Sequence, residues 1–343
     1  MRALGWTAFF QQQWVAAARE DLQPARVVAI QRTHLQLMHA WGVSQGTLGG
    51  RWYQYEPQER PTVGDWVLLD PSSGAVEVLL ERRSLLKRMS AGGDGVQLIA
   101  ANVDVLFLVT SCNADFNARR LERYLTVALD AGVTPVVVLT KVDLVDDADT
   151  FLAEAQALKP GIVVEAVNAL DPDSLTPLRA WCGEGQTIAL LGSSGVGKST
   201  LLNTLAGAAT QRTAAIREDD AKGRHTTTHR SLHTLPGGAL VVDSPGMREL
   251  GMADAEAGVE LMFEDIEALA AQCRFSDCGH GGEPGCAVQA AIAEDEVSAE
   301  RLASYLKLKR EEAYNRETIA ERHARSRAFG KLTRAAQDRK RRD

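Results

Sequence analysis

Thr187-Ile-Ala-Leu-Leu-Gly192-Ser-Ser-Gly-Val-Gly-Lys198-Ser199-Thr200 is an apolar run that enters a glycine-rich turn and then a helix beginning near Lys198. The spacing Gly-x4-Gly-Lys-Ser in this strand-turn-helix context is that of a phosphate-binding loop. Backbone amides of Gly192, Ser193, Ser194, Gly195, Val196 and Gly197 can close around phosphate oxygens at a helix N-terminus. Lys198 can supply charge to the β- and γ-phosphates and Ser199 can ligate Mg²⁺, with Thr200 completing the nucleotide-binding segment. About fifty residues on, the run ALVV ends in Asp243-Ser-Pro-Gly246. A carboxylate there can hold the hydration shell of the metal, and the Gly246 amide can reach the γ-phosphate.

Outward from this loop, the residues from Asp104 are continuous apolar runs (VDVLFLVT, PVVVLT, GIVVEAV, TIALLG, ALVVDS) separated by amphipathic stretches such as NARRLERYLTVALDAG. Runs buried on both faces with helices between them predict a parallel α/β sheet. Before it, RVVAIQ, HLQLM, RWYQY, DWVLL and AVEVLL are short segments broken by Gly49-Gly50, Pro61 and Gly64-Asp65. They predict a small five-stranded barrel, OB-like as first choice, with an SH3-like barrel fitting nearly as well. Its cations Arg26, Arg32, Arg51, Arg60, Arg82, Arg83, Lys87 and Arg88 could line a groove for RNA phosphates. After Gly251, residues 255–271, 287–294 and 298 to about 328 read as helices. The expected domains are an N-terminal extension (1–25), the barrel (26–92), the nucleotide-binding domain (93–250) and a helical C-terminal domain (251–343).

Two further segments can read a base. In Thr140-Lys141-Val142-Asp143, the Asp143 carboxylate can accept hydrogen bonds from the N1–H and amino group of guanine, while the Lys141 stem lies on the ring. Adenine offers no such pair of donors, so an unpaired carboxylate penalises it. Asn168-Ala169 would present a backbone N–H to the guanine carbonyl. Both segments precede the phosphate loop, the reverse of their usual order in GTPases. The same site can be assembled from a circularly permuted chain, because domain termini lie close together.

Cys273-x4-Cys278-x-His280-x5-Cys286 offers three thiolates and an imidazole, the complement of one closed structural zinc site. From Glu321 to Asp343 there are nine Arg or Lys against three acids, in a chain of formal charge −7. That tail suits backbone phosphates.

With the segment Gly223-Arg-His225-Thr-Thr-Thr228, the permuted order resembles the ribosome small-subunit-dependent GTPase A family, the circularly permuted GTPases of bacterial ribosome maturation. The resemblance extends over the barrel, the linking IAANVD at 99–104, the GTPase domain and the cysteine cluster. It implies a GTP hydrolase that acts late in maturation of the small ribosomal subunit, binds its 16S rRNA and is stimulated by the subunit. It also implies that one of Thr226, Thr227 and Thr228 ligates Mg²⁺ alongside Ser199, Thr227 being carried forward as that ligand. His225 would place or activate the attacking water, making His225 and Lys198 the catalytic residues. The barrel and the zinc domain would together grip rRNA. Two departures stand out: Thr140 replaces the usual Asn, which removes an amide contact near the base and softens guanine preference, and Asn168 replaces the commoner Ser. Met247, where Ras-like enzymes carry a water-orienting Gln, cannot polarise water, so slow intrinsic hydrolysis is expected.

The chain has 343 residues, 45% hydrophobic and 24% charged, the composition of a folded globular protein of two or three domains. No signal-peptide pattern opens it, and its apolar runs fall far short of the ~20 residues that span a bilayer. A cytoplasmic monomer with no membrane partner is expected. Five cysteines, three of them crowded together, suit a metal site in a reducing compartment, with Cys112 and Cys182 as buried thiols. Two other readings remain: an RNA-binding module that keeps nucleotide only as a structural ligand, and a P-loop ATPase or small-molecule kinase.

Overall fold

A computed structural model describes residues 1–31, 34–89, 95–207, 230–243, 253, 255–316 and 321. The chain divides into two compact units, residues 1–87 with 98–250, and residues 88–97 with 251–343.

The first unit opens with helix α1 (Ala8–Ala16) and the barrel strands β1 (Gln23–Ile30), β2 (Leu35–His39), β3 (Gly42–Gly46), β4 (Trp66–Leu69) and β5 (Val76–Leu79). Strand β1 pairs antiparallel with both β2 and β4, β2 with β3, and β4 with β5. A parallel bridge between Thr47 and Ala75 closes the ring. The order β1-β2-β3-β5-β4 is that of an OB barrel. Its interior is filled by Ala25, Val27, Leu35, Leu37, Val67 and Val76. Phe10 of α1 packs with Leu22, Trp66 and Leu68 on the outward face of β4, opposite the face that carries Val67 and Leu69 into the interior.

The third barrel strand is not the one expected. Residues Gly50–Gln54, which take in most of RWYQY (51–55), form a 3₁₀ turn, and the strand is Gly42–Gly46. The segment GVSQG carries almost no intrinsic strand preference. It becomes a strand because a tight turn from His39 to Gly42 folds it back along β2. A Cβ on Gly46 would lie 2.5 Å from Leu37 Cδ1, so the glycine is what lets the barrel core close there. Trp52, whose neighbours mimic strand alternation, is buried, and its indole N–H donates to Val76 O at 2.8 Å.

Strands β6 (Leu85–Met89) and β7 (Val96–Ala101) form a two-stranded ribbon leading into the α/β layer. That layer consists of β8 (Val105–Ser111), α2 (Ala118–Asp130), β9 (Thr134–Thr140), α3 (Asp149–Gln156), β10 (Val163–Ala166), α4 (Thr176–Arg179), β11 (Thr187–Leu191), α5 (Lys198–Ala206), β12 (Ser231–Thr234) and β13 (Leu240–Asp243). The sheet order is β10-β9-β8-β11-β13-β12, parallel throughout except for β12. Its strands are apolar on both faces, as predicted; Phe107, Val136, Val138, Ile188 and Val241 pack with Leu201 and Leu205 of α5. Helix α2 begins at Asn117, whose side chain accepts the Arg120 amide at 2.9 Å, and buries Leu121, Tyr124, Leu125 and Ala128.

Barrel and α/β layer share one sheet, because Ala29 of β1 pairs with Ser231 of β12. Arg26 reinforces the join. It is 1% exposed, and its guanidinium donates to Gly64 O at 3.2 Å, Asn102 O at 3.1 Å, Thr187 Oγ1 at 2.8 Å and Leu4 O. Burial pulls its pKa down to about 10, opposed by the charges of Asp104 and Asp65. Arg26 is therefore not a groove cation but a buried clamp. Arg82 is likewise withdrawn: it forms a two-pronged pair with the fully buried Asp65, both contacts at 2.8 Å. Arg51 and Arg83 also have carboxylate partners, Glu77 and Asp104, but such half-exposed pairs are weak enough to exchange for a phosphate. Arg32 lies outside the described residues.

The second unit contains α6 (Glu256–Met262), α7 (Glu264–Ala270), α8 (Ala287–Ala293) and a helix over 299–316. Arg301 grips Asp265 through two contacts of 2.6 and 2.8 Å, and Phe263 packs edge-on against the buried Tyr305. The basic tail 322–343 lies outside the described residues.

Candidate functional site

The phosphate loop grows from β11, which is the middle of the sheet, flanked by β8 and β13 in parallel register. Parallel strands deliver their C-terminal ends to one edge, and ligands of open α/β sheets bind at that edge. Gly192 is required by close approach, since a Cβ there would lie 2.2 Å from Val109 O. Ser194, Gly195 and Ser199 are exposed, Ser193, Gly197 and Thr200 half-buried, and Val196 is buried in the core. Lys198 opens α5, and its Nζ donates to Gly192 O at 2.7 Å and Ser193 O at 2.6 Å. The ammonium is thus held over the loop whose amides can receive phosphate oxygens.

Both candidate base-reading segments end strands on this same edge. Lys141 has a left-handed backbone (φ 61°), and Val142–Leu144 form a 3₁₀ turn that leaves Asp143 exposed. Thr140 differs from its neighbours: it is wholly buried, with its hydroxyl 2.6 Å from Val196 O and 3.1 Å from Thr110 O. At the end of β10, the Asn168 side chain accepts the Leu170 amide at 2.9 Å, and its own amide donates to Ser174 Oγ at 2.8 Å. Asn168 therefore shapes the turn, and Ala169 sits buried within it. Helix α5 is tied to that turn, because Thr204 Oγ1 donates to Ala169 O at 2.7 Å. Asp243 ends β13, parallel to β11, at the same edge. Gly246, Met247, His225 and Thr226 to Thr228 lie outside the described residues.

Sequence reasoning missed Thr204, Ser174 and Val109, which build the site from behind. Thr204 has only a weak signal, a hydroxyl inside an otherwise apolar helix face.

In the second unit Cys273, Cys278, His280 and Cys286 form a cluster whose ligand atoms all lie within 4.8 Å of one another. Cys273 Sγ is 3.9 Å from Cys286 Sγ, and His280 Nδ1 is 3.7 and 3.5 Å from those two sulfurs. A tetrahedron with zinc–sulfur bonds of about 2.3 Å and a zinc–nitrogen bond of about 2.0 Å has edges of roughly 3.5–3.8 Å; Cys273, His280 and Cys286 stand at about that spacing, and Cys278, within 4.8 Å of them, completes a donor set of zinc type. The loop is pre-formed around them: Glu283 accepts amides from Gly279 at 3.0 Å and Gly281 at 2.7 Å. Gln289 donates to His280 O at 2.6 Å, holding the left-handed His280 in place. Such outer contacts orient metal ligands. The remaining cysteines are isolated; burial pushes the Cys182 thiol up to about 11 and raises that of Cys112. Among the described residues no helix is long and apolar enough to cross a membrane.

Comparison with known proteins bears on this geometry. The family model "RsgA GTPase" matches residues 79–253. The chain is 51% identical to the small ribosomal subunit biogenesis GTPase RsgA 2 of Vibrio vulnificus over 97% of this chain and 94% of that one. It is 49% identical to the small ribosomal subunit biogenesis GTPase RsgA of Mesorhizobium japonicum, over 91% and 90%. Among solved structures, YjeQ from Thermotoga maritima is similar at a TM-score of 0.64 and 26% identity, covering 85% of this chain and 99% of that one. YloQ, described as a circularly permuted GTPase, shares the fold at a TM-score of 0.60 and 24% identity, over 86% and 96%.

Proposed function

The chain belongs to the RsgA GTPase family, and from that premise we propose that it hydrolyses GTP at the β11 edge in the service of small-subunit maturation. One observation carries the assignment of residues: segments 140–143, 168–169 and 192–200 meet on one sheet edge and are cross-tied by Thr140–Val196 and Thr204–Ala169 hydrogen bonds.

In this reading the amides of Gly192 to Gly197 and the Lys198 ammonium hold the phosphates and neutralise charge that develops on the transferred phosphoryl group. Asp143 selects guanine, with Lys141 against the ring and Ala169 facing the base carbonyl. Ser199 and Thr227 would hold a Mg²⁺ ion, which supplies further neutralisation at the β- and γ-oxygens. Asp243 and Gly246 sense the γ-phosphate, and His225 places the water. The product pair is GDP and phosphate.

The barrel (26–92) and the C-terminal domain (251–343), the latter fixed by one zinc on Cys273, Cys278, His280 and Cys286, hold the small subunit through its 16S rRNA. Hydrolysis then changes the affinity for the subunit, as in other nucleotide switches. The protein acts in the cytoplasm as a monomer. The test is GTP hydrolysis with and without purified small subunits: stimulation that disappears in Lys198→Ala supports the reading, and turnover indifferent to subunits sinks it.

A further inference from the structure

Thr140 has one hydroxyl proton and two acceptors within reach, Val196 O at 2.6 Å and Thr110 O at 3.1 Å. The residue is 0% exposed. Its backbone carbonyl accepts the Cys112 amide at 2.9 Å, continuing the β8–β9 ladder in which Ser111 faces Thr140. The side chain therefore joins the end of the base-side strand β9 to the turn of the phosphate loop just before α5. Val196 itself is buried in the core, so its carbonyl has no water to turn to if the hydroxyl is removed.

We propose that Thr140 is a positioning residue that locks the phosphate loop to the base-reading strand, and that position 140 offers no donor to the purine. The proposal rests on the GTPase reading above and deepens it. A buried hydroxyl whose proton is committed to a backbone carbonyl cannot also donate to purine N7. Guanine is then read by its N1–H and amino group at Asp143, with N7 unread from this strand. A lesion at Thr140 acts on the loop and weakens every nucleotide alike; a lesion at a base-contacting group weakens only ligands that carry the contacted atom.

The experiment measures the affinities of GDP and 7-deaza-GDP, which lacks the N7 acceptor, for the full zinc-loaded chain by competition with a fluorescent GDP analogue. Thr140→Val keeps the shape and removes the donor; Thr140→Ser keeps the donor. Thr140→Val is expected to weaken both ligands by the same factor, roughly ten-fold, as expected for one orphaned buried carbonyl. Thr140→Ser is expected to stay within about two-fold of wild type for both, because the hydrogen bond survives. The proposal is overturned if Thr140→Val leaves both affinities at wild-type values, or if it weakens GDP while sparing 7-deaza-GDP. A roughly ten-fold loss in Thr140→Ser, where the donor is intact, overturns it as well, and that variant serves if the valine protein does not fold. Wild-type protein that binds neither ligand would instead sink the guanine-nucleotide reading itself.

Discussion

The Thr204 hydroxyl on α5 donates to the Ala169 carbonyl at 2.7 Å, tying the helix that opens with Lys198 to the turn at Asn168 and Ala169. The same hydroxyl lies 3.0 Å from Thr200 O, one turn back in the helix. Thr204 thus joins α5 to a turn that lies 35 residues away in the chain but beside the helix in space.

Replacing Thr204 by Val should loosen that tie while keeping the helix face filled. One net hydrogen bond is worth about 1 kcal/mol, so GDP affinity should fall about five-fold with little change in melting temperature. Calorimetric titration of the folded variant checks this, and unchanged affinity counts against a shared site.

Asp143 is exposed at the edge and is assigned the guanine N1–H and amino group. Asp143→Asn turns an acceptor into a donor that suits the 2-carbonyl of xanthine. The preference for GDP over XDP should shift by roughly 10²-fold or more, because a mismatched polar group is left unpaired. Parallel competition with the two diphosphates decides it, and an unaltered ratio would place the base elsewhere.

Arg26 satisfies three carbonyls and the Thr187 hydroxyl while 1% exposed. Arg26→Met removes this donor from all four, Gly64 O keeping only the Asn102 side-chain amide, and should destabilise the first unit by about 2–4 kcal/mol. Denaturant unfolding monitored at the tryptophans that cluster with Trp66 should show a lower midpoint. A variant as stable as wild type would mean the clamp contributes nothing.

The protein should carry one zinc per chain. With the metal bound, thiol reagent at neutral pH should react slowly, since Cys112 is buried and burial holds the Cys182 thiol near 11. Chelation should release Cys273, Cys278 and Cys286 for rapid reaction and unfold their loop. Atomic emission and thiol titration on the same sample test both statements; fast labelling that ignores chelator contradicts the site.

Deleting residues 322–343 removes nine basic residues, eight of them between Arg325 and Arg342. If they face rRNA phosphates, subunit binding should weaken and its salt dependence flatten. Affinity measured across a salt series that matches the full chain would exclude the tail from the interface.

The glycine-rich loop, its position after a strand and the cluster of three cysteines and a histidine were legible in the chain. Each depends on residues a few positions apart, where backbone geometry alone brings the groups together. Strand β3 was not legible, because GVSQG becomes extended only through pairing with β2, whereas Trp52 pulls the more strand-like RWYQY into a 3₁₀ turn.

Residue type and short spacing were enough to place a glycine-rich loop after an apolar run and to crowd three cysteines and a histidine between 273 and 286. Which polar groups are already committed to partners inside the protein follows instead from how distant segments pack together. Arg26 read as a surface cation until its partner Thr187, 161 residues away, proved to share a buried pocket with it. Thr140 read as a strand-end residue that had lost an amide contact near the base, and folding brings its hydroxyl to 2.6 Å from Val196 O in the glycine-rich loop. Burial and hydrogen-bond commitment depend on segments remote in the chain, and short-range pattern carries no record of them.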